Sequence, residues 1–146
     1  MIGHQVLVLP FSSAGFRLDT GGTKLAGQEG RMQSILDWQA ERQTLNDLVL
    51  DTTNLELKRF FSLDSQTYRP GALDAKTKEL LGLVASLVLR CDDCILYHTI
   101  RCHEEKISKL EFEECCTVGL VVGGSIVIPH LRRAMARWQE LDNQRC

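Results

Sequence analysis

An all-α domain of about six helices is the fold class that this sequence predicts, and three observations predict it. From Arg31 onward apolar residues recur at spacings of three and four, the period of a helix with one buried stripe. Asp74 and Ser108 stand just ahead of two of those runs, where a short oxygen-bearing side chain caps a helix N-terminus. No stretch beyond residue 31 alternates like a strand for long. Val121-Val122 and Ile126 to Ile128 are the only rivals.

Taken in order, Met32, Ile35, Leu36, Leu45, Leu48 and Val49 fall mostly on one stripe of a first helix. A shorter helix follows Asn54 and uses Leu57, Phe60 and Phe61. Arg69-Pro70-Gly71 reads as a turn. Asp74 then caps a long helix running to about Arg90, apolar nearly all round from Leu80 to Leu89. Such a helix belongs at the centre of a bundle or at a subunit interface. The fourth helix starts at Cys91 or Asp92 and runs to about Glu105. Ser108 with Glu111 is a capping-box pair for the fifth, which Gly123-Gly124 ends. Leu131, Met135, Trp138 and Leu141 mark the sixth, with Pro129 in its first turn.

With 146 residues the chain is long enough for one domain and short for two. Residues 1–30 stand apart: they are glycine-rich, and Val6 to Leu9 is their single β-like run. They read as a loosely ordered extension, or alternatively as an extended arm packing on a neighbouring subunit, ahead of a helical domain at 31–146, with Met32 as a candidate second start. A net charge of -2 supplies no basic field, so neither nucleic acid nor an anionic membrane is an expected partner. Leu80 to Leu89 is too short to span a bilayer. No signal peptide is evident, because Val6 to Leu9 is too short an apolar core and no Lys or Arg precedes it. The expected location is cytoplasmic. There, six cysteines are not a disulfide framework. They are buried small hydrophobes, metal ligands or working thiols.

The informative stretch is Arg90-Cys-Asp-Asp-Cys-Ile-Leu-Tyr-His98. On a helix, Cys91, Cys94 and His98 share one face. The two cysteines are separated by about 4.5 Å along the axis, close enough for their sulfurs to bond. His98 is placed to take a thiol proton or stabilise a thiolate. The helix N-terminus favours a thiolate at Cys91, whereas Asp92 and Asp93 oppose it, and spacing alone leaves the net sign open. A buried Glu79 is placed to relay protons to this group. Zinc is the structural alternative, with Cys91, Cys94, His98 and a fourth ligand from Glu79, His103 or His130. A bystander pair is the third. No cofactor is expected.

At these residues the sequence resembles the redox branch of the carboxymuconolactone decarboxylase and alkyl hydroperoxidase D superfamily. That branch carries Glu, eleven residues, Cys, two residues, Cys, three residues, His. Here the pattern reads Glu79, Leu80 to Arg90, Cys91, Asp92-Asp93, Cys94, Ile95 to Tyr97, His98. Leu73 to Glu79 is similar to the family's entry to that helix, and Gly123-Gly124 to a family glycine pair. The resemblance covers about residues 55 to 140. It implies an all-α bundle assembled as a homo-oligomer, trimer or hexamer. It implies a thiol peroxidase or disulfide oxidoreductase in which Cys91, Cys94, His98 and Glu79 are catalytic. Its substrate would be a hydroperoxide and its reductant an external dithiol or lipoyl-bearing protein. Two departures stand out. Asp93 occupies a place where some members carry His, and Glu105-Lys106 a place where glycine is frequent. Decarboxylase members generally lack the cysteine pair. A family protein acting on another small substrate, such as a lactone or an electrophile, is the remaining alternative.

Outside this group the expectations are plain. Cys102, Cys115 and Cys116 are core residues, and Cys146 is free. His103 is exposed, and His130 is a surface or capping residue. Arg132 and Arg133 belong to a solvated face or an interface. Trp38 and Trp138 are core or interface anchors.

Overall fold

A computed structural model describes residues 32–51 and 54–144. They form six α-helices: α1 (Ile35–Leu50), α2 (Leu55–Thr67), α3 (Ala75–Leu89), α4 (Asp92–Glu104), α5 (Lys109–Gly123) and α6 (Ile128–Asn143). The expectations for residues 1–30 and for Cys146 lie outside the described residues. Among the described residues there is no strand. The Ile126 to Ile128 rival is a 3₁₀ turn, Ser125–Val127, leading into α6.

The caps at Asp74 and Ser108 are where the side-chain chemistry placed them. Asn54 accepts from the Leu57 N–H, and Asp74 from the Thr77 N–H. Ser108 and Glu111 close a capping box that satisfies two orphan donors at the start of α5. Pro129 sits in the first turn of α6, where its missing N–H matters least.

α3 packs on α5 and α4, and α4 on α6. Their core holds Leu83, Leu87, Ile95, Phe112, Cys115, Cys116, Val127 and Trp138. Phe112 stacks on Trp138 with ring centroids 4.2 Å apart. α3 ends at Arg90, which takes a left-handed conformation (φ 60°). This lets the Arg90 and Cys91 N–H groups return to the last carbonyls of α3, at Leu87 and Ser86. The chain thereby reverses in two residues and delivers Cys91 to the start of α4.

α1 departs from expectation. Ile35 is its only buried residue. It joins Leu96, Ile100 and Leu141 in a second, smaller cluster, while Leu36, Leu45, Leu48 and Val49 are exposed. The helix meets the bundle at its N-terminal end, so its apolar stripe continues past the core. α2 buries no residue at all. No helix among the described residues is long and apolar enough to cross a membrane.

Candidate active site

Glu79 is carried by the second turn of α3 and is 1% exposed. A carboxylate so deeply buried needs partners. It has two: Oε2 lies 2.8 Å from His98 Nδ1, and Oε1 accepts from Arg101 Nε at 3.3 Å. Arg101 continues outward to Glu104 and Glu105. His98 is itself buried. With its Nδ1–H donated to Glu79, its Nε2 is left as an acceptor, and the Tyr68 hydroxyl lies 3.4 Å from it. Burial pushes the Tyr68 hydroxyl up from its ordinary pKa, and the charges of Glu79 and Asp64 push the same way. Tyr68 therefore stays a donor at neutral pH.

Cys91 and Cys94 are joined by a disulfide, with Cα atoms 5.3 Å apart. Cys91 is the N-cap of α4, its sulfur accepting from the Cys94 N–H at 3.3 Å. Cys94 is exposed and Cys91 half-buried. The four expected residues thus form two direct pairs, Glu79 with His98 and Cys91 with Cys94. Helical spacing sets His98 one turn beyond Cys94.

Asp92 and Asp93, between the cysteines, are both engaged. Arg133 grips Asp92 with two parallel hydrogen bonds (3.0 and 2.8 Å), and His130 Nδ1 lies 2.8 Å from it. Burial works to raise the Asp92 carboxyl, and the bonds from Arg133 and His130 outweigh it, holding the group below the usual carboxylate range. Asp93 accepts from Trp38 Nε1 at 2.7 Å, with Arg42 4.0 Å away.

One expectation needs correction. His103 is buried, not exposed: its ring meets Trp138 edge-on and it pairs with Asp142. Arg133 is exposed, as a solvated face requires, and pairs there with Asp92 on α4. His130, a surface or capping residue with the option of approaching the cleft, does approach it: it is half-buried and lies 2.8 Å from Asp92. Among the described residues no three His, Cys, Asp or Glu side chains are grouped as metal ligands. Sequence reasoning missed Tyr68, Arg101 and the partners of the two aspartates. Arg101 was findable, since 94, 98 and 101 share one stripe of α4. Tyr68 was not, because no spacing links the end of α2 to α4.

Tyr97, whose ring meets His98 edge-on at 5.2 Å, and Arg101 also line a cavity of about 350 Å³. Trp38, Arg42, Phe61 and Asp64 are among its other lining residues, and the Arg42 guanidinium lies 4.5 Å over the Tyr97 ring.

Fold and site together define a helical bundle with a buried carboxylate–imidazole pair behind a Cys-x-x-Cys disulfide. The chain belongs to the carboxymuconolactone decarboxylase family, whose sequence profile matches residues 56–137. A Thermotoga maritima protein of known crystal structure is 57% identical, the match covering 75% of this chain and 96% of that one with a TM-score of 0.73. A second crystal structure of it, at 56% identity, is described as that of a carboxymuconolactone decarboxylase family protein with a suggested part in antioxidative response. A family protein from Legionella pneumophila, 24% identical over 73% of this chain and 89% of its own, shares the fold at a TM-score of 0.57. An uncharacterized Cupriavidus necator protein is 26% identical over 72 residues, 49% of this chain and 64% of that protein's length.

Proposed function

We propose that the protein is a thiol-dependent peroxidase, or more broadly a disulfide oxidoreductase, working through Cys91 and Cys94. The observation that carries the reading is the buried Glu79–His98 pair, with Tyr68 on its far nitrogen, one helical turn beyond Cys94. A histidine held at one nitrogen by a carboxylate keeps the other for proton transfer. The antioxidative role suggested for the Thermotoga relative supports the same reading.

Cys94 is the attacking thiol in this scheme, being exposed and nearer His98. Its thiolate attacks one oxygen of a hydroperoxide, the O–O bond breaks, and the leaving alkoxide takes a proton from the His98 relay to depart as an alcohol. The Cys94 sulfenic acid condenses with the Cys91 thiol, forming the disulfide and releasing water. An external dithiol, lipoyl-type or other, reduces that disulfide and is itself oxidised. A cytoplasmic setting would supply such a reductant. The exposed apolar faces of α1 and α2, including Leu45, Leu48, Phe60 and Leu63, support assembly into a homo-oligomer, for which the family resemblance implies a trimer or hexamer.

The test is thiol counting. Reduced protein given one equivalent of hydroperoxide should lose two thiols per chain and regain them with a dithiol. Cys91→Ser and Cys94→Ser should each fail to cycle. Stoichiometric zinc, with thiols silent to peroxide, would refute the reading.

A further inference from the structure

The two residues between the cysteines are both acidic, and each is held by a different helix. Asp92 is gripped from α6 by the fork of Arg133 and by His130. Asp93 is gripped from α1 by the indole N–H of Trp38, with the Arg42 guanidinium beyond. The first turn of α4 is therefore clamped on two sides, and the clamps act on the residues that set where the sulfurs sit.

A carboxylate next to a thiol opposes its ionisation. Two of them would cancel the help that the start of α4 gives to a thiolate. A carboxylate that spends its charge on a guanidinium fork opposes much less, because the pair presents little net field to a neighbour. The charged and titratable groups around this turn come from every adjoining element. They include Arg42 on α1, Tyr68 at the end of α2, Glu79 on α3, Arg90 immediately before Cys91, His98 and the two aspartates on α4, and His130 and Arg133 on α6. Arg133 holds Asp92 by two directional hydrogen bonds, whereas Arg42 stands 4.0 Å from Asp93.

We propose that Arg133 and His130, with Trp38 and Arg42 opposite, are positioning residues for the Cys91–Cys94 pair: they fix the first turn of α4, and the Arg133 fork offsets the charge of Asp92 beside the thiolate. The proposal rests on the reading of these cysteines as working thiols. It assigns a purpose to two acidic residues that would otherwise work against the thiol chemistry.

The experiment is iodoacetamide alkylation of the reduced, full-length protein from pH 5 to 10, with Cys91 and Cys94 followed separately by peptide mass spectrometry. In Arg133→Gln the midpoint of the more reactive thiol should move up by about half to one pH unit, slowing alkylation at pH 7 by about three- to tenfold. Adding Asp92→Asn to Arg133→Gln should return the rate to that of the parent protein, because the uncompensated charge is gone. A profile for Arg133→Gln that superimposes on the parent overturns the proposal. So does a double variant as slow as the single one, which would mean Arg133 acts through packing alone. Should Arg133→Gln fail to fold, His130→Gln is read by the same criterion, with Asp92→Asn as its rescue. The readout uses no peroxide, so a chain that proves inactive toward hydroperoxides still passes or fails it.

Discussion

The His98 ring occupies the space that a side chain at position 82 would need. A Cβ on Gly82 would stand 2.5 Å from its Cε1, 2.7 Å from Nε2 and 2.8 Å from Nδ1. Glycine in mid-helix is unfavourable by about 1 kcal/mol relative to alanine. Its presence in α3 lets α4 come close enough for Glu79 and His98 to bond. Gly82→Ala should therefore keep or raise helicity by circular dichroism, yet displace the imidazole. Peroxide-dependent thiol loss should slow at least about tenfold, in keeping with the size of a lost acid–base contribution. An unchanged rate would mean that the position of His98 does not matter.

Much of this was legible in the sequence because it depends on local chemistry. Asp74, Ser108 with Glu111, Gly123-Gly124 and Pro129 mark helix ends by what their side chains and backbones can do, and they do it here. Glu79 was expected to be buried from its apolar neighbours, and it is. What failed was whatever depended on which helix faces which. The α1 stripe has the right period but extends beyond the core, so Leu45 and Leu48 stay exposed. His103 is buried because Trp138 of α6 reaches it, and Arg133 is claimed because α6 starts beside α4. Neither fact is encoded in the residues adjacent to it.

Glu79→Gln keeps the shape of the side chain and removes its charge. Arg101 retains Glu104 and Glu105, so one of the two partners is compensated. His98 has no such substitute. The loss of stability should be about 1–3 kcal/mol, the range for disturbing a buried charged hydrogen bond, measured by urea unfolding. The rate of thiol oxidation by hydroperoxide should fall more than stability does. Glu79→Ala, which leaves a buried gap as well, should be worse on both counts.

Three thiols in the core should behave unlike the pair. Burial pushes Cys115 up to about 11 and Cys116 up to about 12, and raises Cys102 as well. In the native reduced protein these three should resist a thiol reagent at pH 8 and react only in denaturant. Because the folded state holds their protons more tightly than the unfolded chain, they add stability that is complete below the ordinary thiol pKa of about 8.5. That stability is lost as pH rises through the folded values. Urea unfolding should show a declining stability above about pH 9, and Cys116→Ala should lessen the slope.

At the acid end the helix caps contribute alongside Asp92, which is also held below the usual carboxylate range. The Asp74 carboxylate accepts from the Thr77 N–H at 2.8 Å, and the Glu111 carboxylate from the Ser108 N–H at 2.7 Å. These bonds hold both carboxyls below their ordinary pKa. Protons therefore bind the unfolded chain first as pH falls. The stabilisation is complete above the ordinary carboxylate value of about 4 and is lost as pH drops through the lowered folded values. The two caps sit at the starts of α3 and α5, which pack against each other, so their protonation loosens the helix that carries Glu79. Thermal unfolding should show Tm falling below about pH 4. Asp74→Asn preserves a capping oxygen while removing the titration, so it should fold well at pH 7 with a shallower acid slope. Asp74→Ala removes the cap outright and should lower Tm at pH 7 as well. If Asp74→Asn has the same acid slope as the parent, this cap is not part of the acid transition.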